Sequence, residues 1–98
     1  MLDTFTIETF RPRLGELFHL VVGDQRLPTK LTDVFPWGAG GGDERARVPF
    51  SLIFHTIPEA IVPQGTYSME NERMEPFQLF LVPLGPDERG MRYESVIT

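Results

Sequence analysis

The chain reads as a small all-β protein, mainly antiparallel: a six-stranded meander forming a barrel or a curled two-layer sheet, with one short N-terminal helical turn. Three observations carry that reading. Nine prolines and nine glycines are spread through 98 residues, so a helix of three or four turns would contain a breaker, at about 1 kcal/mol per Gly and about 3 per Pro. Period-two alternation recurs in short runs such as PFSLIFH, FQLFLVPL and MRYESVI. Turn-sized segments rich in Gly, Pro or charge separate the runs, and closing such a sheet removes the edges that invite aggregation.

Taken in order, Thr6 followed by Ile7, Glu8, Thr9 and Phe10 reads as an N-capped helical turn with an acid near its positive end, stopped by Pro12 and Gly15. Glu16 to Val22 and Arg26 to Phe35 form a first hairpin about Gly23-Asp24, although the second arm alternates less cleanly. PWGAGGGD, residues 36–43, is too glycine-rich for regular structure and reads as a mobile surface loop. It lacks the Lys-Ser/Thr that follows a phosphate-binding loop. PFSLIFHTI is a strand, PEAIVP a loop, GTYSME a short strand, FQLFLVPL a strand and GMRYESVI the last strand. Pro49 and Pro83 fall near strand ends, where a missing amide costs least. The whole, residues 1–98, is one domain.

Two strands are apolar on both faces. Phe50, Leu52 and Phe54 alternate with Ser51, Ile53 and His55, and Phe77, Leu79 and Leu81 alternate with Phe80, Val82 and Leu84. With almost no helix available, the second face needs cover from the N-terminal turn with Phe5 and Phe10, from the PEAIVP loop with Ile61 and Val62, or from another chain. The reading favours a self-association or docking face, and the candidate interface is Ile53, His55, Phe80, Val82, Trp37 and Tyr67. Tyr67, entering a strand after Gly65, also has a hydroxyl suited to tying down a neighbouring loop.

No catalytic constellation stands out, and an enzyme is not expected. Ser51 and His55 lie four residues apart on one strand, about 13 Å by strand rise, far beyond hydrogen-bond reach. No G-x-S-x-G elbow exists. His19 would reach them only through pairing of distant strands. Two histidines without His-x-His spacing, no cysteine, and acids Glu70, Glu72 and Glu75 on a turn beside Arg73 suggest neither a metal nor a cofactor. A net charge of −5 without a basic stripe disfavours nucleic acid and anionic membranes. The N-terminus lacks the pattern of a signal peptide, and no apolar stretch approaches the roughly 18 residues of a spanning helix. A soluble cytoplasmic protein is the expectation.

The order TIETF, RLGELFHL, PFSLIFH, PQGTY and LFLVPLGPDERGMRYESV resembles a family of bacterial proteins of about this length, a domain of unknown function often encoded near phage-tail-collar-like proteins. The likeness rests on Phe10, Gly15, Phe18, Pro49 to Phe54, Gln64 to Tyr67, Leu79 to Pro83, and Tyr93-Glu94. Gly40 to Gly42 and the Ile97-Thr98 end depart from the pattern. The resemblance implies no reaction and hints at a tail-like assembly. The function expected is therefore a non-enzymatic interaction or structural module, a homo-oligomer with a dimer favoured, that self-associates or docks on a larger assembly through an apolar strand face. The alternative is a small barrel that binds an apolar ligand.

Overall fold

The computed structural model describes residues 5–37, 49–57 and 61–98. Six strands, β1 (Leu17–Val22), β2 (Gln25–Pro36), β3 (Phe50–Thr56), β4 (Gly65–Asn71), β5 (Met74–Asp87) and β6 (Gly90–Ile97), close a barrel in the order β1-β2-β3-β6-β5-β4. Every pairing is antiparallel. Tight hairpins join β1 to β2 and β4 to β5 to β6, but the chain crosses over between β3 and β4. β3 therefore lies beside β6, a Greek-key return rather than an uninterrupted meander. With this order the barrel closes by β4 pairing with β1, through His19 and Glu70, Leu20 and Met69, and Val21 and Ser68.

The N-terminal turn is present as α1 (Ile7–Phe10), preceded by Thr6 in extended backbone. The Thr9 amide donates to the Thr6 carbonyl at 2.9 Å, and the Thr6 amide to Thr9 Oγ1 at 3.1 Å, so two terminal donors are satisfied. The α-helical bonding ends with the Arg11 amide on the Ile7 carbonyl, just before Pro12. Pro12, with no amide to extend that series, sits early in a 3-10 turn over Arg11–Arg13. Gly15, at φ +86°, then turns the backbone into β1, and its amide donates to the Leu31 carbonyl at 2.7 Å.

α1 acts as a plug. Phe10 is fully buried, and Phe5 meets Phe10 and Phe77 edge-on with ring centroids 5.3 Å apart in each case. Phe10 also packs on Phe50, and Phe18 on Phe54 and Phe77. These rings share the interior with Leu20, Leu31, Leu52, Met69, Leu79 and Leu81, all essentially inaccessible. At about 1.5 to 3 kcal/mol for each large apolar side chain, this cluster is the main stabilising term. At the opposite end Val62 is buried, and its amide donates to the Tyr93 hydroxyl at 2.9 Å. Phe5, Phe10 and Val62 thus close the ends of the barrel and do not cover its outer strand faces. Ile61 is exposed.

Of the three register irregularities among the described residues, the one between Met69 and Asn71 lies at the β4–β5 turn, and the other two explain where alternation failed. In β2 the register steps from Leu31–Phe54 to Asp33–Ile53, so Thr32 is an extra residue and the inward series continues at Val34 instead of Asp33. In β5 it steps from Pro83–Tyr93 to Gly85–Arg92, with Leu84 extra and Gly85 at φ +99°. Pro83 accordingly lies within a long strand beside a bulge, not near a strand end; the bulge tolerates the missing donor. β5 runs on through Gly85 and Pro86 to Asp87, past the expected stop at Leu84. The glycine loop read over residues 36–43 falls from residue 38 onward outside the described residues.

One glycine is fixed by contact as well as conformation. Gly90 opens β6 at φ +134°, and a Cβ there would overlap the Thr56 carbonyl oxygen at the end of β3. Gly23, at φ +62°, has open space around it. Gly90→Ala is expected to lose at least about 2 kcal/mol of stability in urea unfolding, and Gly23→Ala about 1 kcal/mol, because only the first adds a backbone clash to the φ penalty.

Candidate functional site

The outer surface of β2, β3, β6 and β5 is ordered in cross-strand rows. One row is Phe35, Ser51 and Val96; the next is Asp33, Ile53, Glu94 and Val82; the third is Lys30, His55, Arg92 and Gly85. Phe80, two residues before Val82, faces the same way and extends the first row toward β4, where it pairs with Thr66. Apolar, acidic and basic character thus succeed one another along the strands.

The second face of β3 is covered by the chain's own polar side chains. Ser51 is completely buried. Its hydroxyl accepts the Trp37 indole N–H at 2.9 Å and donates to Glu94 Oε2 at 2.8 Å. The Trp37 amide donates to the Pro49 carbonyl at 2.8 Å, which fixes the indole where β2 ends. Sequence alternation placed Ser51 outward correctly. It gave no signal for this cover, because Trp37 and Glu94 are 14 and 43 residues away.

His55 is held from both sides. Its Nδ1 lies 2.6 Å from Thr32 Oγ1, and its Nε2 lies 3.0 Å from each carboxylate oxygen of Asp87. The β2 bulge is what brings Thr32 to the outer face beside Asp33. When His55 is neutral with its proton on Nε2, the Thr32 hydroxyl donates to Nδ1. When both nitrogens carry protons, Nδ1 donates to Thr32 and the hydroxyl turns to the Ile53 carbonyl, 3.2 Å away. Asp87 also accepts the Arg89 amide at 2.8 Å across the β5–β6 turn, so the carboxylate ties that turn to β3. The hydrogen bond from His55, followed by the one from the Arg89 amide, holds the Asp87 carboxyl below its usual range.

Among the sequence-predicted interface residues, Phe80 and Trp37 are exposed, at 47% and 50%, while Ile53 and Val82 are half-buried on the same outer surface. His55 shares that surface but is buried beneath its partners. Tyr67 stands apart: it pairs with inward-facing Leu79, and its hydroxyl donates to the Pro63 carbonyl at 2.5 Å, tying down the loop. Phe35 and Val96 belong with Phe80 and were missed, because only strand register shows them adjacent. Ser51 and His55 have separate partners and do not meet. His19 lies on β1, paired with Pro28 and Glu70. Among the described residues no cluster of three His, Asp or Glu side chains is placed to hold a metal ion, and no helix is long and apolar enough to cross a membrane.

A carboxylate whose ionised form is favoured in the fold stabilises it above the unfolded carboxylate range, near pH 4, and that contribution is lost as pH falls through its lowered folded value. Wild type is therefore expected to exceed Asp87→Asn in urea midpoint at pH 7, with the gap narrowing below about pH 4. In the His55→Gln variant, the Asp87 carboxyl carbon followed by NMR should titrate closer to its ordinary value.

No curated protein and no solved structure shows significant similarity to the chain. A family model does match, over residues 5–97, from the helical plug to the last strand of the barrel. The chain belongs to the family described as Domain of unknown function (DUF6916).

Proposed function

We propose that the protein is a non-enzymatic docking module that self-associates through the outer surface of β2, β3, β6 and β5, with a second copy of the chain as the first occupant. The observation that carries this reading is the apolar row Phe35, Val96 and Phe80, with Trp37 beside it, left open to solvent on a barrel otherwise well filled. Because the sheet is closed, lateral strand addition is unavailable, and association has to proceed face to face. A two-fold axis through the row would set apolar side chains on apolar side chains, each covered large residue contributing about 2 kcal/mol. The interior supports this reading over the apolar-ligand carrier, since its positions are occupied by phenylalanine, leucine and methionine.

Membership of a larger tail-like assembly belongs to the same proposal and would use the same face. Sedimentation velocity over micromolar concentrations is expected to reveal a reversible dimer. Phe80→Ser combined with Val96→Thr should weaken it at least about tenfold, or 1.4 kcal/mol, with circular dichroism unchanged. A strict monomer across that range, or a dimer indifferent to both substitutions, contradicts the proposal.

A further inference from the structure

A second surface feature lies on the other side of His55. Leu17, Lys30 and His55 form one cross-strand row on the outside of β1, β2 and β3. Together with Pro28, Ile57, Thr32 and Arg89 they line a groove of about 490 Å³, within the range of small-molecule sites. Its wall is the β5–β6 turn, which the Asp87–His55 contact holds against β3.

The lining has two distinct parts. Leu17 and Ile57 are more than half exposed and, with Pro28, form an apolar seat. Lys30 and Arg89 supply the charged part, and no acidic side chain among the described residues lines the groove. That is unusual in a chain with 14 acids and nine bases. Lys30 has no ion-pair partner among the described residues. Asp87, whose carboxylate is influenced by Arg89, is engaged by His55. The buried His55 ring fixes the floor and orients Thr32.

We propose that this groove binds a small amphipathic carboxylate, its apolar body on Leu17, Pro28 and Ile57 and its head group between Lys30 and Arg89. Charge complementarity selects the occupant: a neutral apolar molecule leaves the Lys30 charge unanswered, and a bare anion leaves the apolar seat in water. The site is independent of the self-association row, which it does not share.

The test is an amide chemical-shift titration of the full-length chain with octanoate, octanol and acetate as separate probes. Octanoate is expected to give saturable shifts at Leu17, Lys30, Thr32, Ile57 and Arg89, with octanol and acetate each at least about tenfold weaker, as follows when both parts of the lining contribute. Lys30→Gln with Arg89→Gln, both at exposed positions, should leave the fold intact and reduce octanoate binding to the octanol level. No octanoate shifts, equal binding of octanol, shifts centred on Phe80 and Val96, or indifference to the double substitution would each overturn the proposal. The double variant should still dimerise, so failure of this site and failure of the self-association reading give different results.

Discussion

Everything in this molecule depends on the closure of its sheet, completed by the short pairing of β1 with β4. A chain this short buries a modest core, and an open sheet of six strands would leave two edges unpaired and one face wet. Closing it converts one face of every strand into a shared interior and turns the opposite face toward the surroundings. The price is geometric: strands must stagger and bend, and the register shifts at Thr32 in β2, at the β4–β5 turn and at Leu84 in β5 accompany that bending.

The outer face of β3 is where closure and chemistry meet. A strand flanked on both sides cannot hide its outward residues under a neighbour, and this protein covers them with hydrogen-bonded side chains brought from β2, β6 and the β5–β6 turn. Buried polar groups cost stability unless each donor and acceptor is answered. Here Ser51 is answered by Trp37 and Glu94, and His55 by Thr32 and Asp87. The same contacts fasten the end of β2 and the last turn, so the polar cover is also what gives the outer surface a fixed shape.

Strand content, the first hairpin, the N-terminal turn and the inward residues of β3, β5 and β6 were legible in the sequence, because period-two alternation and Gly/Pro punctuation are local signals. The partnership of β3 with β6 was not, since strand order depends on pairing across the whole chain. The bulges were half legible: the uneven spacing of Leu31, Val34 and Phe35 showed that β2 departs from simple alternation, but not which residue is extra. For the site, alternation placed Ile53, His55, Phe80 and Val82 on outward faces. It could not separate His55, which is tied down, from Phe80, which is open. Phe35 and Val96 become neighbours only once register is known.

The extra residue in β2 has a consequence for how such a surface can vary. A chain one residue shorter at position 32 would restore simple alternation and keep every inward residue of β2 in register, so the core would scarcely register the deletion. The histidine, however, would lose the hydroxyl facing its Nδ1. Chain length at that point is therefore a dial that resets the outside of the barrel without touching the inside.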